Sequence, residues 1–184
     1  MVRDCTYQLR SIVSRGFTLV EILVVIVILG TVSAIVIPQI GSRDDLRCAA
    51  SARIAMGDLI YAQNLAISSQ RTIYIRFGAN TYSLYDTSTG TTPITHPVNK
   101  SPYTMTFGAS GTTGLTNSFI DSNTFDGSTT LVFDELGAPY SYNAVGDVHT
   151  ALAAAGEVVM GSGTYKLKIL VEPFTGEITV IEDN

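Results

Sequence analysis

The chain has 184 residues, a formal net charge of −5 and a mean hydropathy of +0.28, with 16 acidic side chains against 11 Lys and Arg. That balance argues against a nucleic-acid binder, which normally carries a basic face, and the length allows one globular domain with a short appendage. Apolar residues are concentrated near the N-terminus, so the chain is best taken from there.

Met1–Gly16 holds Arg3, Arg10 and Arg15 against Asp4, a net charge of +2, so the remainder carries −7. From Phe17 to Ile37 there are 21 residues, and Glu21 is the only charged one. As a helix rising ~1.5 Å per residue this run spans roughly 30 Å, the thickness of a bilayer hydrocarbon core. The basic leader on its N-terminal side places Met1 in the cytoplasm and the remainder of the chain on the far side of the membrane. An ionised carboxylate in hydrocarbon costs several kcal/mol unless paired, which makes Glu21 a functional candidate. A secretory signal peptide is cut after its apolar region, whereas here the small residue Gly16 precedes it. A cut after Gly16 would leave the helix on the mature chain, beginning with a positive amine on Phe17 four residues before Glu21. The two charges could then neutralise within one chain or between neighbours. The bland alternative for Glu21 is an acid that snorkels to the membrane surface without a partner.

Gly16-Phe17-Thr18-Leu19-Val20-Glu21 followed by Ile22-Leu23-Val24-Val25-Ile26 resembles the prepilin-type cleavage and methylation motif of type IV pilins and type II secretion pseudopilins. The resemblance implies cleavage between Gly16 and Phe17 by a prepilin peptidase and N-methylation of Phe17. It also implies pairing of Glu21 with the amine of an adjacent subunit, and Pro38 falls where the family has a helix-breaking proline.

Pro38 and Gly41 predict a kink or local melting, because proline removes a backbone donor and glycine costs about 1 kcal/mol within a helix. Ser42-Arg43-Asp44-Asp45 is a fair helix restart with acids in its first turn. Leu46, Ala49, Ala52, Met56, Leu59 or Ile60, Gln63, Ala66 and Ile67 then fall along one side of a helix over residues 43–69, with Arg47, Arg53 and Asp58 off that stripe. This reads as an amphipathic continuation of the membrane helix packing on a sheet. Cys5 lies in the leader, so Cys48 stands alone in the mature form and is read as a small buried residue.

Beyond residue 70 the period becomes two. Thr72–Phe77 and Thr81–Tyr85, separated by Gly78-Ala79-Asn80, predict a hairpin, and Asp86–Pro102 reads as loop. Further strands are expected at Tyr103–Phe107, Ser118–Ile120, Thr130–Phe133, Glu157–Met160, Tyr165–Val171 and Ile178–Ile181, the last two joined by a turn at Pro173–Gly176. The alanines of Val145–Ala155 favour a short helix over an ordered loop. The expected fold class is α+β: a long N-terminal helix, membrane-spanning in its first half, packed against an antiparallel sheet. Its divisions are a cleaved leader (1–16), an assembly helix (17–38) and a soluble head (39–184).

Leu131–Pro139 and Lys168–Ile178 are similar to the minor pilin and pseudopilin family called GspH/FimT, as is Ala62-Gln63-Asn64-Leu65-Ala66-Ile67, with Gln63 in place of the usual arginine. Some FimT-type members bind DNA through a basic motif near the last hairpin. Here that turn reads Thr175-Gly176-Glu177-Ile178, acidic where arginines would be needed, so DNA is not an expected partner. His96 and His149 sit in loop-like contexts without a partner motif. Asp121–Gly127 is a poor match to a calcium loop and reads as an Asx-rich turn, and Asp134-Glu135 as a solvated strand end. No nucleophile elbow or phosphate loop occurs, so neither an enzyme nor a cofactor or metal is expected. The expectation is a structural subunit in the bacterial cytoplasmic membrane, single-pass with its head outside, partnered by other pilin or pseudopilin subunits and by the peptidase. As a minor pseudopilin it would serve a type II secretion filament. The competing expectations are a minor type IV pilin in adhesion, motility or DNA uptake, and an anchored binding module that never assembles.

Overall fold

The computed structural model describes residues 16–39, 43–108, 111 and 115–183. Most of the stretch read as a leader, including Arg3, Asp4, Cys5, Arg10 and Arg15, lies outside the described residues, as do Gly41 and Ser42. The chain divides into two units, one ending at residue 42 and one beginning at Arg43. Among its described residues the first unit forms one helix, α1 (Leu19–Gln39).

The second unit opens with α2 (Asp44–Ser69), whose first turn carries Asp44 and Asp45 as expected. Among the described residues ten strands follow: β1 (Ile73–Phe77), β2 (Thr81–Tyr85), β3 (Thr104–Thr106), β4 (Ser118–Thr124), β5 (Thr130–Phe133), β6 (Pro139–Asn143), β7 (Val148–Ala151), β8 (Gly156–Ser162), β9 (Tyr165–Val171) and β10 (Ile178–Glu182). They form two sheets where one was expected. The larger has the order β3-β2-β1-β5-β6-β7 and the smaller β10-β9-β8-β4, with every pairing antiparallel.

Both sheets share one core beneath α2. Ile73, Ile75, Leu131 and Phe133 come from the larger sheet, and Val158, Met160, Ile169 and Val171 from the smaller. Each fully buried aliphatic or aromatic side chain of this kind contributes about 1.5–3 kcal/mol. The buried stripe of α2 is Cys48, Ser51, Ala52, Ala55, Leu59, Ala62 and Ala66. The predicted stripe shares Ala52, Leu59 and Ala66 with it but runs off it at Leu46 and Ile67, which are exposed. Close approach to the sheets selects small side chains, so alanines and not the larger aliphatics mark this face. Cys48 is buried as expected, with its thiol 3.2 Å from the Met160 carbonyl, and burial pushes that thiol's pKa up.

Val145–Ala155 is not helical. Gly146 and Asp147 take left-handed conformations, which turn the chain, and Val148-His149-Thr150 then pairs with β6. β6 itself was not anticipated, although Tyr140 and Tyr142 alternate along it and its proline occupies the first position, where a strand tolerates one. Asp121–Gly127 is mostly strand: Asp121–Thr124 belong to β4, and only Asp126-Gly127 form a turn. Both turn residues have positive φ, as a two-residue hairpin loop between Phe125 and Ser128 requires.

Candidate functional site

Gly16, Phe17 and Thr18 precede α1 without helical structure, and Phe17 is 76% exposed. Thr18 caps the helix: its Oγ1 accepts a hydrogen bond from the Glu21 N–H at 3.2 Å, and its carbonyl accepts one from Ile22 at 3.2 Å. Thr18-Leu19-Val20-Glu21 is the sequence pattern of a capping box, a signal legible in the chain itself. Glu21 thus occupies the third helical position, where the helix dipole favours a carboxylate, and its side chain is exposed.

The rest of α1 is unusual for a helix in water. Its large apolar side chains from Leu19 to Val32 are between 45% and 82% exposed, on every face. A helix apolar all round needs burial in lipid or among other helices. Its Val and Ile content also disfavours helix in water, whereas in hydrocarbon the backbone must satisfy its own hydrogen bonds. Thr31 satisfies its hydroxyl locally by donating to the Ile28 carbonyl at 2.9 Å. Pro38 lies in the last turn, and α1 ends one residue later. Among the described residues no helix is long and apolar enough to cross a membrane.

The head holds two polar centres that the sequence reading passed over. At the first, Asp58 accepts hydrogen bonds from the hydroxyls of Tyr82 (2.5 Å) and Tyr103 (3.0 Å). Tyr103 also stacks on Tyr61 (ring centroids 5.4 Å apart) and meets the tilted ring of His96 (4.4 Å). Burial raises the Asp58 pKa, opposed by the two tyrosine hydrogen bonds and by the His96 charge. The folded protein therefore holds this proton more tightly than the unfolded chain. That contribution to stability is fully present below the unfolded value near 3.8 and is lost as pH rises through the raised folded value. Asp58→Asn is expected to flatten this part of the stability–pH profile. Asp58→Ala strands the hydroxyl of Tyr82, which is 2% exposed, and costs about 2–3 kcal/mol in urea titrations.

At the second centre, Gln63 Nε2 donates to the carbonyls of Gly137 (2.9 Å) and Gly176 (3.0 Å), joining the β5–β6 turn to the β9–β10 turn. Asp134, read as a solvated strand end, instead organises its turn by accepting from the Leu136 and Ala138 N–H groups. The histidines have partners too. His96 Nδ1 accepts from the Val98 N–H, and His149, on β7, lies 3.1 Å from the Tyr74 hydroxyl. Among the described residues no three His, Cys, Asp or Glu side chains converge as metal ligands.

Comparison with known proteins bears on the N-terminal unit. Type II secretion system core protein G of Pseudomonas aeruginosa is 52% identical to this chain over 44 residues, which are 24% of this chain and 29% of that protein. The chain thus spans under a third of that relative's length. No solved structure matches. The family described as the prokaryotic N-terminal methylation motif matches residues 13–37, which include Gly16, Phe17, Glu21 and the apolar run behind them. The start of this chain therefore matches the prokaryotic N-terminal methylation motif and is similar over that region to a type II secretion core protein.

Proposed function

We propose that the chain is the precursor of a pilin-type filament subunit, a structural protein and not an enzyme. The observation that carries this reading is the placement of Gly16–Glu21 at the capped start of a helix whose apolar side chains are exposed on all sides. A prepilin peptidase hydrolyses the Gly16–Phe17 bond, releasing the leader and leaving an amine on Phe17. Methylation of that amine retains its positive charge. Before assembly α1 sits in the cytoplasmic membrane as a single pass, with the N-terminus cytoplasmic and the head outside. Leaving lipid is offset by packing α1 against neighbouring helices, with the Phe17 amine and the Glu21 carboxylate neutralised between subunits. An unpaired carboxylate at that depth is costly, so the pair also sets the register of assembly.

Within this class the favoured role is a minor pseudopilin of a type II secretion filament. Supporting it are the similarity to a type II secretion core protein and the GspH/FimT-like terminal hairpin of β9 and β10. The same hairpin also supports a minor type IV pilin in adhesion, motility or DNA uptake. The acidic turn between its strands disfavours the DNA role. An anchored module that never assembles leaves Gly16 and Glu21 without a purpose.

The test is mass spectrometry of the protein recovered from membranes. The expected mature chain lacks 16 residues and begins with a methylated Phe17. Gly16→Val should leave the whole leader in place, and a wild-type chain that still starts at Met1 would overturn the reading.

A further inference from the structure

We propose that the turns β5–β6 and β9–β10 together form a rigid docking tip for a different protein, one with an apolar socket rimmed by Lys and Arg. The tip lies at the C-terminal end of α2, the end of that helix farthest along the chain from the N-terminal unit.

Its apolar side chains are Leu136 (84% exposed) and Phe174 (81% exposed), one on each turn, with the half-exposed Ile67 of α2 against the first turn. Exposed side chains on loop tips are ordinarily mobile, but these turns are fixed. Gln63 clamps both of them, and a Cβ on Gly176 would lie 2.6 Å from the Gly137 carbonyl oxygen. Asp134 holds the first turn from inside, and the Gly176 N–H to Glu172 carbonyl bond (3.0 Å) closes the second. Phe174 has φ +66°, a region that bulky L-residues avoid. The fold thus maintains a disfavoured backbone conformation in order to hold an aromatic ring in water. A preorganised aromatic and a neighbouring aliphatic are what a binding hot spot needs, because little side-chain and loop freedom is lost on contact.

Charge decides the occupant. Glu135, Glu172 and Glu177 stand within three residues of Leu136 or Phe174 along the chain, and the ion pairs found among the described residues lie elsewhere, at Arg47–Asp44, Lys166–Asp121, Lys168–Glu157 and Lys168–Asp183. Arg71, which follows the end of α2, belongs to none of those pairs. The groove near the start of α2 offers a poor match in a second copy of this chain. The groove of about 570 Å³ beside Leu46 and Tyr165 is lined by Asp45, Glu182 and Asp183, and its Lys166 already pairs with Asp121. Like charges would face each other there. An anionic lipid surface is disfavoured for the same reason. A basic-rimmed apolar socket on another protein satisfies both the apolar pair and the carboxylates.

The proposal concerns the head alone and does not depend on filament assembly. The test places a photo-crosslinking phenylalanine at Thr175 of the full-length chain in the cells that produce it. The expected result is an adduct with one heterologous protein, attached among apolar residues flanked by Lys or Arg. Its yield should fall at least fivefold in each of three variants: Phe174→Asn, Leu136→Ser and the pair Glu135→Lys with Glu177→Lys. Phe174→Asn should meanwhile keep or raise the Tm of the purified protein, since asparagine tolerates positive φ. An adduct only with a second copy or with lipid, no adduct, an adduct that survives the charge reversal, or a Tm that falls in Phe174→Asn would overturn the proposal. The mature N-terminus read from the same band shows separately whether the leader was removed.

Discussion

Glu21→Ala is expected to insert into the membrane normally and to be depleted at least tenfold from the assembled filament. Insertion should survive because removing a charge from the start of an apolar helix lowers its transfer cost. Incorporation should suffer because a neighbour's Phe17 amine loses its counter-charge, and a hydrogen bond to a charged group contributes about 1.5–3 kcal/mol. At 1.4 kcal/mol per factor of ten, that range corresponds to roughly ten- to a hundredfold. The capped start of α1 supplies a second explanation for the same loss, since Glu21 occupies the acid position of a capping box with Thr18. Glu21→Gln separates the two. Glutamine serves a capping box as well as glutamate does, but it cannot neutralise an amine. Loss of incorporation in both variants, measured by immunoblot of sheared filaments against the membrane fraction, supports charge pairing. Normal incorporation of Glu21→Gln would show that Glu21 acts only on its own helix.

The parts of the molecule that could be read from the chain are those in which a local rule acts alone. The apolar run behind Phe17 was legible as a helix because, after Glu21, its aliphatics are interrupted by neither charge nor proline until Pro38, and α1 covers it from Leu19. The hairpins of β1 with β2 and of β9 with β10 were legible for a similar reason, since each joins two β-branched or aromatic runs across a short polar turn. Failures came where tertiary packing chose among residues of similar character. Along α2, Leu46 and Ile67 looked like core, and the alanines between them decided the face because only small side chains let the helix approach two sheets. β6 and β7 were obscured by composition. Alanines around Gly146-Asp147 suggested a helix, and the left-handed pair at that turn excluded it. The Asp58–Tyr82–Tyr103 cluster and the Gln63 clamp join residues 24 to 113 positions apart, and no local pattern announces such contacts.

Phe125→Ala is expected to be the most destabilising single truncation in the head, at about 3–5 kcal/mol, a large share of the 5–15 kcal/mol typical of a domain. Phe125 lies within the stretch that reads in the sequence as an Asx-rich turn. In the structure it is 0% exposed, with its ring centroid 5.4 Å from that of Phe77, while the adjacent Asp126-Gly127 turn stays in solvent. A Cβ on Gly156 would lie 2.6 Å from the Phe125 ring, so the strand opposite has already given up its side chain to make room. The alanine variant leaves a cavity walled by Phe77 and by backbone at Gly156, and neither can collapse into it cheaply. Gly127→Ala alters the same hairpin at φ +85° but meets open space, so its cost is limited to backbone strain of about 1 kcal/mol. Urea titration of the full chain in mild detergent, followed by near-UV circular dichroism of its nine tyrosines, measures both. A Phe125→Ala cost no larger than that of Gly127→Ala would mean that the ring does not anchor the core and that the hairpin is held by its turn.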